Sequence, residues 1–265
     1  MVAAKIHPTA IVASGAQLAD DVIVGPYAII EDQVEIGPGT IIGPHAVIHH
    51  HSRIGAFNQI HAHVVLGNTP QDISFNNADT WIEIGDHNVL REFSTIHRAT
   101  KIEQPTRLGS HCFLMAHAHI AHDCQVADRV ILTNAVSLGG HVQVDERAII
   151  GGHTGVHQFC RVGAYAMLAG GIVLRRDALP FSMVAGHPAK HHSLNKVGLR
   201  RAGIRGETYR EIEHVFRALR AQEKISPDTH STDPHLQYLY HWLAQKSKRG
   251  LTAFNRINHT QTEED

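Results

Sequence analysis

The sequence predicts an all-β chain wound as a parallel β-helix of six-residue repeats and followed by a small α-helical domain. Three observations predict it. From Ile6 to Leu174 every sixth residue is aliphatic, with Asp72 and Ala78 the only exceptions. Glycine often follows the aliphatic residue, as at Gly43, Gly109 and Gly139, and proline sometimes comes next, as at Pro26 and Pro38. Beyond Pro180 and Pro188 the period stops.

A helix repeats its apolar positions at three and four residues and a two-sided strand at two, so a strict six with turn residues fits short strands bending at corners. Three hexads, 18 residues, make one triangular coil. Successive coils then pair as parallel strands about 4.8 Å apart, with the aliphatic column filling the shaft. Asp72 and Ala78 fall in GNTPQDISFNNADTW, which is rich in turn residues and reads as a loop near 67–83 that leaves the repeat and returns. The β-helix is expected over 1–190 and the helical domain over 191–265. In the latter, Thr208 and Glu211 form a candidate capping box ahead of Ile212, Val215, Phe216 and Leu219, and Asp233-Pro234 opens a second helix.

Composition narrows the function. Lys+Arg of 24 against Asp+Glu of 25 leaves a net charge of −1, which gives no global field for nucleic acid or an anionic membrane. No apolar run of about 18 residues is present to span a bilayer, and MVAAKIHPTA lacks the core of a secretory signal, so a cytoplasmic protein is expected. Cys112, Cys124 and Cys160 share the fifth place of their hexads with small residues, which predicts buried packing without disulfides. Histidine, at 24 residues, is far above its usual share.

Because a coil takes 18 residues, positions 18 apart stack on one edge. His122, Gly140 and Gln158 form one column, Asp123, His141 and Phe159 the next, and Ala121, Gly139 and His157 the one before. His119 precedes the same corner. This concentration suits acyl transfer from a thioester to an alcohol, since a hydroxyl is a poor nucleophile at neutral pH. An imidazole that takes its proton in the transition state is worth about 10²–10⁴-fold. His122 is the candidate base, Asp123 the group that fixes its tautomer, and a backbone N–H near Gly140 the oxyanion donor. None of the cysteines is in the cluster.

The segments HIAHDC (119–124), GGHV (139–142), GVHQFC (155–160), PQD (70–72) and NKVGLRRAG (195–203) resemble the UDP-N-acetylglucosamine acyltransferase family of lipid A synthesis, within the hexapeptide-repeat superfamily. The resemblance implies left-handed coils and a homotrimer whose sites lie between neighbouring β-helices, Asp72 serving the neighbour's His122. It further implies that His122, Asp123 and Gly140 are catalytic and that Gln71 and Asp72 bind the sugar nucleotide. His119, His141, His157 and Gln158 would line the pocket, Asn195 and Arg201 would hold the uridine diphosphate, and Gly170 would bound the acyl chain. The donor would be a 3-hydroxyacyl thioester of an acyl carrier protein, an acidic partner for Lys190, Lys196, Arg200, Arg201 and Arg205. No cofactor or metal is expected. Two departures stand out: Ala202 separates Arg201 from Gly203, and Ser74 stands where a lysine commonly follows the loop motif.

Three rivals differ in kind. The sibling N-acyltransferase of the same pathway carries an extra domain before the repeat, whereas the period here begins at Ile6. Zinc held by histidines of adjacent subunits, as in the γ-class carbonic anhydrases, is a second reading on the same scaffold, and a purely structural solenoid is the third.

Overall fold

The computed structural model describes residues 4–225 and 231–255. Its hexads form two-residue strands at each aliphatic position and its predecessor, arranged as three parallel sheets that make the faces of a prism. The first face holds strands such as Ile131–Leu132, the second His119–Ile120 and Ser137–Leu138, and the third Gln125–Val126 and Gln143–Val144. This is a left-handed parallel β-helix with C-terminal helices, as expected. Inward residues such as Leu114, Leu132, Ile150 and Leu168 are fully buried in one continuous column. Truncating one to alanine would cost about 2–5 kcal/mol, because the stacked coils cannot collapse into the void.

The corners use two devices. At Gly109, a Cβ would stand 2.7 Å from the Ala127 carbonyl carbon of the next coil, so this glycine serves close approach of backbones. The left-handed residue of the corner lies two places further on and is usually a side chain with a ring or amide: His45 (φ 57°), His63 (φ 60°), Phe93 (φ 62°) and His117 (φ 61°) stack their rings about 5 Å apart along one edge. Much of the histidine excess is thereby structural.

Register corrects the map in one respect. Gln125 pairs with Gln143 and Gln143 with Arg161, the expected 18-residue step. Val65, however, pairs with Thr95, a step of 30 residues, and Ile82 with Thr106, a step of 24. The chain therefore makes two excursions, the second in the segment 98–105. Ile102, counted in the aliphatic series, is 68% exposed there and does not enter the shaft. An insert of six residues leaves a period of six undisturbed, which is why only the first excursion was legible. Both leave the second face and return at the third, so both emerge at the edge that carries His122.

At the far end Ser182–Ala185 pairs antiparallel with Lys190–Leu194, the strand on which the expected domain boundary falls. Helices α1 (Lys196–Arg201), α2 (Gly206–Ala221) and α3 (Pro234–Ala244) follow and pack through Ile212, Val215, Phe216, Leu239 and Trp242. Asp233 caps α3 through His235 N and Leu236 N as expected. The capping box of α2 is not formed. The Thr208 hydroxyl donates to Asp233 Oδ2 and Glu211 accepts from the Tyr240 hydroxyl, so both side chains join α2 to α3.

Candidate active site

His122 and Asp123 occupy the turn of one hexad, Asp123 in the left-handed region (φ 60°), which aspartate tolerates better than most residues. That conformation aims the carboxylate back along the edge. Asp123 Oδ2 lies 2.7 Å from His122 Nδ1, and with an ionised carboxylate accepting, the imidazole carries its proton on Nδ1 and keeps a lone pair on Nε2. The Thr100 backbone N–H donates to Asp123 Oδ1 (2.9 Å) and its hydroxyl to Oδ2 (2.7 Å), while the Asp123 N–H donates to Thr106 Oγ1 (2.7 Å). Burial alone would raise the Asp123 pKa, but the hydrogen bonds from His122 and Thr100 prevail and hold it below the ordinary carboxylate value.

The coil above supplies the second wall. His122 meets the His141 ring edge-on at 5.4 Å, and His141 stacks on Phe159 at 4.5 Å. Burial lowers the His141 pKa, opposed by the Asp123 charge and reinforced by His122, Lys248 and Lys101. Gly140 leaves the space in which the His122 ring sits: a Cβ there would lie 2.5 Å from Cε1. His119 bonds through Nδ1 to the Thr95 hydroxyl at 2.7 Å, and burial lowers its pKa. Beside it the buried His97 is pushed down to about 4, so it is neutral near pH 7.

Asp72, Ser74, Thr100, Asp123, His141 and Phe159 line one groove of about 980 Å³. Asp72 thus faces the Asp123 and His141 of its own chain. Its Oδ1 accepts from the Ser74 N–H (2.8 Å) and hydroxyl (2.7 Å), which lower its pKa and fix its direction, so the departure at position 74 has a local use. Gln71 is exposed on the same loop, and His157 and Gln158 are exposed on the coil above His141.

Other expected site residues stand elsewhere. Asn195 is 5% exposed; it caps α1 through Gly198 N and donates from Nδ2 to the Tyr165 carbonyl, at the edge between the third and first faces. Arg201, exposed in the last turn of α1, belongs to that side too. Gly170 is exposed at the edge between the first and second faces. Each chain therefore distributes the expected residues over three edges.

Sequence reasoning missed Thr100 and Thr106, hidden by the silent second excursion, and a basic wall from the C-terminal segment. Lys246 and Lys248 reach the groove, Lys248 with its ammonium 4.6 Å from the Phe159 ring centre. The run KSKRG (246–250) was the available signal.

One atom each of His122, Asp123 and His141 lie within 4.8 Å of one another, a spacing a divalent cation could bridge. A cation there would have to displace the His122 proton and the Thr100 hydroxyl from Asp123 Oδ2. The three cysteines are buried and free, and burial pushes each thiol up to about 12.

Comparison with known proteins identifies the family. The family described as UDP N-acetylglucosamine O-acyltransferase, domain 2, matches residues 177–252, and the six-repeat bacterial transferase hexapeptide family matches 15–50 and 33–68. The chain is 48% identical, over 94% of its length and 99% of the relative's, to an acyl-[acyl-carrier-protein]–UDP-N-acetylglucosamine O-acyltransferase of Thiobacillus denitrificans. It is 49% identical over 93% of its length to one of Alkalilimnicola ehrlichii, 98% of which is covered. The crystal structure of UDP-N-acetylglucosamine O-acyltransferase from Moraxella catarrhalis superimposes with a TM-score of 0.86 at 38% identity, over 93% of this chain and 99% of that one. On this identity and coverage, the chain is an acyltransferase and belongs to the acyl-[acyl-carrier-protein]–UDP-N-acetylglucosamine O-acyltransferase family.

Proposed function

We propose that the protein transfers a 3-hydroxyacyl chain from an acyl carrier protein to the 3-hydroxyl of UDP-N-acetylglucosamine, the first step of lipid A synthesis, in the cytoplasm. The observation that carries the mechanism is the 2.7 Å bond from His122 Nδ1 to a carboxylate already held by Thr100. In the neutral imidazole that bond puts the proton on Nδ1 and the lone pair on Nε2, ready to accept. As the sugar oxygen attacks the thioester carbon, its proton passes to Nε2 and Asp123 stabilises the imidazolium. The tetrahedral oxyanion is met by the Gly140 N–H, a contribution of about 3 kcal/mol. Collapse breaks the C–S bond, and Nε2 returns the proton to the leaving sulfur, giving an ester and a free carrier thiol.

A homotrimer is part of this reading, and two observations support it. Asn195, Arg201 and Gly170 occupy edges other than that of His122, so a site using all of them needs neighbouring chains. The prism is also amphipathic outside: the first and second faces expose Ile23, Ile41, Ile29 and Val173, whereas the third carries the ion-paired Glu35, Arg53, Glu83 and Arg107. The basic residues Lys190, Lys196, Arg200, Arg201 and Arg205 are the docking strip for the acidic carrier. Among the described residues no helix is long and apolar enough to cross a membrane.

Incubation with UDP-N-acetylglucosamine and a panel of 3-hydroxyacyl carrier proteins, read by mass, tests the reaction and the chain length together. His122→Ala should leave a folded assembly and slow transfer at least about 10²-fold. Near-normal turnover by that variant would remove His122 from the role of base.

A further inference from the structure

We propose that Lys101 and Lys248, with Lys246 beside them, form a phosphate-binding wall of the groove that takes the sugar-proximal phosphate of a nucleoside diphosphate sugar. This rests on the function proposed above and leaves the nucleoside end to Asn195 and Arg201. The three ammoniums come from unrelated parts of the chain, Lys101 from the second excursion and the others from the segment after α3, and all line the groove that holds Asp72, Asp123 and His141. The segment is anchored. Arg249 Nε donates to the Gln158 carbonyl (2.9 Å), the Gly250 N–H donates to Ser247 Oγ (2.7 Å), and the Asp177 N–H donates to the Gly250 carbonyl (2.9 Å). Lys248 is therefore held over Phe159, where the ring face favours a cation.

Among the described residues none of the three ammoniums is paired with a carboxylate within 4.0 Å. Unpaired positive charge in a concave site attracts an anion. The groove carries both signs: Asp72, Glu103 and Asp123 are acceptors suited to sugar hydroxyls and repel phosphate, and with Arg161 paired to Asp177 the lysines are the cations left to receive it. Ser74, whose hydroxyl is committed to Asp72, supplies no cation where the family commonly has a lysine. Lys101 and Lys248 supply the charge from other segments of the groove lining.

Steady-state kinetics on Lys101→Ala, Lys248→Ala, the double variant and Lys248→Arg test the assignment. Each alanine should raise KM for UDP-N-acetylglucosamine about tenfold, the loss of one charge-assisted contact, while kcat and the KM for the acyl carrier stay within about twofold and the arginine restores affinity. Unchanged KM for the nucleotide would overturn the proposal. So would a rise in carrier KM alone, which would place the donor's phosphodiester on these lysines. Calorimetric binding of UDP to the same variants decides the matter even if the wild-type protein turns over no UDP-N-acetylglucosamine, which would instead defeat the proposed reaction.

Discussion

Gly140 and His122 share one space: a Cβ on Gly140 would lie 2.5 Å from His122 Cε1 and 2.7 Å from Nε2. Gly140→Ala keeps the backbone N–H proposed to face the oxyanion but pushes the imidazole aside. A fall in kcat of at least about 10²-fold with an unchanged melting temperature is expected. If the alanine variant retains most of its kcat, ring placement does not govern the rate.

Thr100 orients the Asp123 carboxylate, which in turn holds the His122 ring. Thr100→Val removes the hydroxyl donor to Asp123 Oδ2 and keeps the N–H to Oδ1. With one stabilising bond gone, the Asp123 pKa rises toward the ordinary carboxylate value, so the acid limb of the rate profile moves to higher pH. A kcat reduced about tenfold fits the loss of a bond worth roughly 1.5 kcal/mol. A profile that only scales down without moving would show that Thr100 acts by packing alone.

These two residues show what could be read without coordinates. Gly140 was legible because the coil above 106 keeps its 18-residue step, so addition from His122 finds it. Thr100 was not, because the second excursion is one hexad long and places Ile102 in phase with the core series while exposing it to solvent. Periodicity reports phase, not depth. The run KSKRG signalled the charge of Lys248 but not its position: its place beside Phe159 depends on how the C-terminal segment returns to the prism after α3, and no repeat relates the two. The Thr208 and Glu211 pattern misled because their side chains found partners on α3 in place of the α2 backbone.

His191 makes stability fall in acid. It is fully buried, donating from Nδ1 to the Thr252 carbonyl and accepting at Nε2 from the Leu179 N–H, and burial pushes its pKa down to about 4. Between that value and the unfolded value near 6.5 the unfolded chain binds the proton and the native one does not. Its contribution is therefore intact above pH 6.5 and lost progressively down to pH 4, up to about 3 kcal/mol. Denaturant midpoints at pH 7.5 and 5 should show the loss, and His191→Gln should flatten the dependence at lower overall stability. An equal slope in the variant would assign the effect elsewhere.

The buried thiols give a test of the shaft. With Cys112, Cys124 and Cys160 pushed up to about 12 and closed to solvent, iodoacetamide at pH 8 should label none in the native protein and all three in denaturant. Rapid native labelling of Cys124 would mean that the coil behind His122 opens.

Distribution of the site over different edges predicts complementation between inactive chains. His122→Ala removes the proposed base from one edge and Arg201→Ala the proposed nucleotide contact from another, so each homo-oligomer should be severely impaired. In assemblies mixed from equal amounts, a chain with intact His122 will face a neighbour with intact Arg201 at about a quarter of the interfaces, since each condition is met half the time. Co-expression with two distinct tags, followed by sequential capture, isolates the hybrids. Their activity per interface should return to about a third of the wild-type value, since a cyclic trimer of either mixed composition has one such interface in three, while homo-oligomers mixed without subunit exchange stay inactive. If His122 and Arg201 of the same chain formed one site, every site in the hybrid would lack one of the two residues, and no activity would return.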